Sequence, residues 1–212
     1  MSNEWPSHEN LSDIIRNFRT TNQTKHALKK IAILASGSGS NAEKIMEHFS
    51  HSSKAEISLI GSNKKEAFVL ERAKKFNVPT FTFSKTELES GLVTKKLQEV
   101  GIDWVVLAGF LLKIPTDLIH AFPDRIINIH PALLPNYGGK GMYGMKVHEA
   151  VKVTGEKETG ITIHLVNEHY DEGKIIFQAA VPIQPEYSPE DIAQKVHQLE
   201  YKYFPNVIES LL

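Results

Sequence analysis

A doubly wound α/β sheet, mostly parallel, is the fold this sequence predicts, and three observations carry the prediction. From residue 29 onward, apolar runs of strand length alternate with amphipathic segments of helical length. The run WVVLAG (104–109) is apolar without alternation, as a strand covered on both faces requires. The last third then changes pattern: GITIHLV (160–166) alternates, and KIIFQAAVPI (174–183) follows it after a turn at Asp171–Gly173. The expected architecture is Rossmann-like, ending in a C-terminal antiparallel strand and a helix.

Taken in order, residues 1–28 are polar and rich in Asn, Ser and Thr, with one weak helical stripe at Leu11, Ile14, Ile15 and Phe18. They read as an N-terminal extension to a single domain over 29–212. KIAILA (30–35) is the first strand and stops at glycine, and a helix follows over 40–50. EISLIG (56–61) is the second strand, with a helix over 65–77 that spaces Ala67, Leu70 and Ala73 by three. PTFTF (79–83), a helix around 86–99, WVVLAG, a short helix near 115–121 and RIINI (125–129) extend the series. The final helix opens at Ser188-Pro189-Glu190-Asp191, with an N-cap, a proline at the first helical position and acids in the first turn. Ile192, Val196, Leu199 and Tyr203 are its expected buried stripe. Glu200 falls about 40° from Val196, inside that stripe. An acid there needs a partner, either a structural ion pair or a cationic or amine group.

A chain of 212 residues is long enough for one sizeable core. Its net charge of −1 argues against non-specific nucleic-acid binding, so no nucleic-acid partner is expected. The absence of cysteine removes disulfides, thiolate nucleophiles and thiolate metal sites. WVVLAGFLL, the longest apolar run, falls short of the ~20 residues of a membrane span, and the N-terminus has no apolar signal core. Cytoplasm is the expected setting, with no membrane partner. His120, His130, His148, His164 and His169 lack the pairing and third ligand of a zinc site, so no metal is expected. His164 alternates into a strand face with Thr162 and reads as structural or supporting.

ASGSGSNAEKI (35–45) joins the first strand to the first helix, where glycines admit a ligand to the backbone and the helix start offers free N–H groups to an anion. Gly37-x-Gly39-x-x-Ala42 formally fits a dinucleotide fingerprint, but the second strand ends in Gly61-Ser62-Asn63-Lys64-Lys65, without the acid that would hold a ribose. Two readings stay open here: an NADP-dependent reductase using those lysines, or a single phosphate held by Gly39, Ser40 and Asn41.

NIHPALLP (128–135) is the second constellation. Residues two apart on a strand share a face, so Asn128 and His130 point together while Ile127 and Ile129 enter the packing. Asn128 offers an amide donor that never titrates, and His130 exchanges a proton near neutral pH. Together they suit a carbonyl under attack. With no cysteine, and no serine in a strand-to-helix elbow, direct attack by an amine or water is favoured over an acyl-enzyme. Asp171, from the turn NEHYDEG, is the carboxylate expected to raise the pKa of His130. GGKGMYG (138–144) reads as a mobile loop beside the site.

ASGSGSN, LAGF, NIHPALLP, GITIHLV and DEGKIIFQ occur in an order and spacing that resembles the folate-dependent glycinamide ribonucleotide formyltransferases of purine biosynthesis, from about Lys29 to the C-terminus. The resemblance implies formyl transfer from 10-formyltetrahydrofolate, as co-substrate, to the amine of glycinamide ribonucleotide, with no metal, in a monomer or weak homodimer. It implies Asn128, His130 and Asp171 as the catalytic trio, with His130 as general acid. Gly39, Ser40 and Asn41 would hold the substrate phosphate, with Gly109, Pro131 and Glu200 completing the substrate site. Leu111, Leu112, Lys113 and Ile114, with Asn128, Asn167 and Tyr170, would form the folate pocket.

The sequence also departs from that pattern. FSKTELESGLVTKK looks shortened and lacks the arginine that often meets the folate tail, for which Lys85 is the substitute. GGKGMYGMKVHEA replaces a histidine-containing loop, and Leu112 stands where arginine is common after AGF. Methionyl-tRNA formyltransferase, formyltetrahydrofolate deformylase and sugar-nucleotide formyltransferases share the Asn-x-His core but carry further domains that these 212 residues do not provide. The remaining rivals are a formyltetrahydrofolate hydrolase or other amine formyltransferase, the NADP-dependent reductase, and a catalytically silent folate-binding module.

Overall fold

The computed structural model describes residues 28–212. The helical stripe expected before residue 28 lies outside them. The elements are β1 (Lys29–Leu34), α1 (Ser40–Phe49), β2 (Ala55–Ser62), α2 (Val69–Lys75), β3 (Thr80–Thr82), α3 (Lys85–Glu89), α4 (Leu92–Val100) and β4 (Trp104–Leu107). The series continues with α5 (Thr116–Ala121), β5 (Ile126–His130), α6 (Met145–Thr154), β6 (Glu158–Leu165), β7 (Ile175–Pro182) and α7 (Pro189–Ser210).

The seven strands form one sheet in the order β3-β2-β1-β4-β5-β6-β7. β1 to β5 pair in parallel, and β6 runs antiparallel to both β5 and β7. The mostly parallel sheet with an antiparallel C-terminal part is the architecture expected from the sequence.

Strand alternation divides the core between the two faces. Ile31, Ile33, Val106, Ile127 and Ile129 meet Ile45 and Met46 of α1 and Ile192, Val196, Phe204 and Ile208 of α7. Ala32, Leu34, Val105, Leu107 and Ile126 meet Leu88 of α3, Val93 and Leu97 of α4 and Leu118 of α5. With both faces covered, the central strands carry continuous apolar runs.

Three elements differ from expectation. The helix expected around 86–99 is two helices, because Gly91 takes φ 82 and serves as N-cap of α4. The helix expected over 65–77 contracts to α2, its first residues forming turns. α6 was not anticipated at all. It follows directly on the loop 138–144 and packs against α7.

α7 begins as expected, with Ser188 accepting from the Asp191 N–H and Asp191 returning the bond in a capping box, Pro189 following. Its buried line runs Ile192, Val196, Glu200, Phe204 and Ile208, and Leu199 and Tyr203 are only partly covered. The strict spacing of four draws Glu200 fully into the buried face.

Candidate active site

The loops at the carboxyl ends of β1, β4 and β5 converge on one cavity of about 660 Å³. Ligands in open α/β sheets bind at such strand ends. Asn128, His130 and Asp171 line it, together with Gly39, Ser40, Asn41, Gly109, Pro131 and Glu200. Leu111, Leu112, Lys113, Ile114, Asn167 and Tyr170 line it as well. Lys85 does not line it: it lies in α3, with its ammonium 3.5 Å from Glu89. Lys64 and Lys65, which a reductase would need, do not line it either.

β5 delivers the central pair. The β5–β6 register sets Asn128 opposite His164 and His130 opposite Thr162. Asn128 Nδ2 lies 3.1 Å from His164 Nε2, while His164 Nδ1 donates to the Leu165 carbonyl at 2.9 Å. With Nδ1 as donor, Nε2 can accept from the Asn128 amide, whose second N–H has no partner among the described residues. Thr162, fully buried, pins the chain beyond His130 by donating to the Ala132 carbonyl at 2.7 Å and accepting from the Leu134 N–H at 2.9 Å.

Asp171 arrives from the turn between β6 and β7. Its Oδ2 is 3.7 Å from His130 Nδ1 and its Oδ1 is 3.6 Å from His164 Nε2, so it stands between the two imidazoles. The Gly139 N–H donates to Oδ2 at 2.9 Å, tying the loop 138–144 to the carboxylate. Gly173 explains the sharpness of the turn, because a Cβ there would collide with the Leu165 carbonyl. Burial raises the Asp171 pKa, but the neighbouring His164 and His130 rings and the Gly139 N–H outweigh it and hold the carboxyl below its ordinary value.

His130 is the correction. The sequence led to a histidine with its pKa raised by Asp171. That pull is present, and the Tyr137 carbonyl adds to it, yet burial outweighs both and places His130 below 6.5. At neutral pH the free site therefore holds a neutral imidazole.

The glycine loop forms the other end. Gly39 caps α1 with φ 72, and a Cβ there would collide with Val69 of α2. Arg72 of α2 donates from Nε to the Ser38 carbonyl at 2.8 Å and pairs with Glu43 of α1, bracing the loop from behind. Asn41 Nδ2 donates to Glu200 Oε2 at 2.8 Å, and the buried Asn41 Oδ1 has no partner among the described residues. Burial pushes the Glu200 carboxyl up to about 7 against the pull of Asn41.

Beyond β4, the Leu111 N–H donates to Ser36 Oγ at 3.0 Å, and Ser36 donates to Asn63 Oδ1 at 2.6 Å. Lys113 holds its ammonium 5.8 Å from the Tyr170 ring centroid. Two helix-borne histidines also line the cavity, and the sequence reading gave neither a place in the site. His197 sits one turn before Glu200 on α7, a spacing that could have exposed it. His148 belongs to α6, and burial, aided by His197 and His130, pushes its pKa down to about 4.

Comparison with known proteins identifies the family. Residues 29–208 match the family model described as formyl transferase. The chain belongs to the formyl transferase family. It is 44% identical over 190 residues to the chloroplastic phosphoribosylglycinamide formyltransferase of Arabidopsis thaliana, covering 86% of this chain and 65% of that protein. The chain thus spans under two thirds of that plant relative's length, and 61% of the cowpea (Vigna unguiculata) protein of the same description. The Bacillus subtilis phosphoribosylglycinamide formyltransferase is 38% identical over 193 residues, with 87% of this chain and 95% of that one covered. Glycinamide ribonucleotide transformylase 1 of Geobacillus kaustophilus superposes with a TM-score of 0.80 at 34% identity, over 87% of this chain and 99% of its own. The family match decides the question left open at the glycine loop against the nicotinamide reductase. No group of three or more His, Asp or Glu among the described residues is placed to hold a metal ion, and no helix among them is long and apolar enough to cross a membrane.

Proposed function

We propose that the protein transfers a formyl group from 10-formyltetrahydrofolate to the amine of glycinamide ribonucleotide. The observation that carries the reading is the convergence of Asn128, His130 and Asp171 on one cavity that the glycine loop Gly37–Asn41 and the apolar residues Leu111, Leu112 and Ile114 also line. A substrate phosphate would meet the free N–H groups at the start of α1, and the folate would lie against Leu111–Ile114 with its formyl group at the trio.

The amine nitrogen attacks the formyl carbon, and the carbonyl electron pair moves to oxygen. The free N–H of Asn128 donates to that developing oxyanion. His130, neutral at the outset, accepts the proton shed by the attacking nitrogen at Nδ1, and Asp171 stabilises the imidazolium so formed. The same proton then passes to folate N10 as its bond to carbon breaks, so His130 acts as acid in the second half only. The products are the formylated amine and tetrahydrofolate, with no net proton released. The cytoplasmic setting and a monomeric or weakly dimeric state belong to this reading and rest on the sequence alone.

A spectrophotometric assay with purified protein, 10-formyltetrahydrofolate and glycinamide ribonucleotide tests it. Folate product that forms only when the ribonucleotide is present is the expected result. Product formation without it would replace the amine with water and make the protein a hydrolase, and no product from folded protein would overturn the reading.

A further inference from the structure

We propose that Tyr137 is a positioning residue for His130: its anchored hydroxyl seats the backbone carbonyl that confines the exchanging proton to Nδ1. The inference rests on the proton-transfer role given to His130 above. His130 Nε2 lies 2.7 Å from the Tyr137 carbonyl oxygen. A carbonyl only accepts, so Nε2 keeps its proton in both the neutral and the cationic ring. Nδ1 is then the atom that titrates, and it faces Asp171 Oδ2 at 3.7 Å.

The Tyr137 carbonyl does not come from a strand or helix. The residue takes φ 57, a left-handed conformation uncommon for a bulky side chain, in the loop between Pro135 and Gly138. Its side chain supplies the reason it stays there. The hydroxyl donates to Glu156 Oε1 at 2.7 Å and lies 2.5 Å from Thr154 Oγ1, at the last residue of α6. Because the single Tyr137 hydroxyl hydrogen goes to Glu156, Thr154 Oγ1 is the donor in its contact with that hydroxyl. The end of α6 thus acts as a post, Tyr137 as a tether, and the carbonyl on that tether as the fixed partner of the imidazole. The Asp171 side of the ring has no such rigid bond, because 3.7 Å is too long for a hydrogen bond. An untethered carbonyl would let the ring exchange tautomers and present the wrong nitrogen to the substrate.

The test is Tyr137→Phe, which removes the tether and keeps the ring. Nitrogen-edited NMR of the histidine rings, with His130 assigned through a His130→Asn spectrum, reads the tautomer without any substrate. The wild-type protein should show Nε2–H at neutral pH, and Tyr137→Phe should show a mixture. In the transfer assay, kcat should fall about 5- to 30-fold, the effect of losing one or two hydrogen bonds, with KM for both substrates within about twofold. Tyr137→Gly, which takes a left-handed φ without cost, should lose the fixed tautomer as well and so separates the tether from backbone strain. An unchanged tautomer in Tyr137→Phe overturns the proposal, whether kcat stays normal or falls together with KM and thermal stability. Should the wild-type protein transfer no formyl group, the function proposed above fails, while the NMR comparison still decides the role of Tyr137.

Discussion

Replacing Glu200 by glutamine is expected to stabilise the protein above neutral pH and to leave it nearly unchanged in acid. The side chain is 6% exposed and, among the described residues, has a single hydrogen bond, from Asn41, so burial raises its carboxyl from 4.5 to about 7. Below 4.5 the group is protonated in folded and unfolded chains alike, and its contribution to stability is fully present. As pH rises, the unfolded chain gives up this proton while the folded one holds it, and stability drains away until the folded carboxyl ionises near 7. At about 1.4 kcal/mol per pH unit, that window amounts to about 3 kcal/mol at pH 8. Glutamine keeps the shape and the carbonyl that accepts from Asn41, but it never ionises. Urea unfolding at pH 8 should therefore show the Glu200→Gln protein more stable by about 3 kcal/mol, and thermal unfolding should show a Tm higher by about 6–12 °C for a chain of this size. At pH 5 the two proteins should differ by under ~1 kcal/mol. Equal stability at both pH values would refute the reasoning, since it would mean that the carboxyl ionises in the fold at its ordinary value.

Three further outcomes are expected. His130→Ala and Asp171→Asn should each lower kcat by about 10²-fold or more, with smaller effects on KM, in steady-state transfer assays. Because burial keeps His130 below 6.5, the acid limb of kcat/KM should lie below that value, and Asp171→Asn, which removes an upward pull, should move it further into acid; a limb at pH 7 or above in the wild-type profile would contradict this. Gly173→Ala should destabilise the protein by about 1–3 kcal/mol and reduce turnover, because the new Cβ meets the Leu165 carbonyl two residues from Asp171; thermal melts and the transfer assay read both.

How much of this was legible in the sequence depended on whether a feature is local. The strands and the capped start of α7 were readable because apolar runs, Pro189 and the Ser188–Asp191 pair act over a few residues. The Asn128 and His130 pair was readable because strand periodicity alone sets two side chains on one face. α6 was not. The glycines before it look like loop continuing, and its helical stripe is short, with Val147, His148 and Val151 as its buried residues. The split of the helix at Gly91 depended on a left-handed backbone that a helical pattern does not announce. The sign of the His130 shift was equally out of reach, because the sequence names the attracting carboxylate but not the depth of burial that outweighs it.

The charge state of the cavity wall has a chemical consequence for how a substrate must lie. His130 and His148 are both held below their ordinary values by burial, so at neutral pH neither is a cation. Lys113 and Lys140 line the cavity but are solvent-exposed, where water screens them. Asp171, pushed below its ordinary value, is ionised and repels an anion from the trio. If the proposed substrate is bound, the strongest place for its phosphate is the start of α1, where backbone N–H groups and the helix dipole act from a braced loop. A buried imidazolium at His130 or His148 would compete for that phosphate and pull the substrate in backwards. Neutral histidines remove the competition, and they leave Nδ1 of His130 unprotonated when an amine arrives. Under the proposed function, the burial that defeats the expected rise in the His130 pKa would therefore serve both orientation and chemistry.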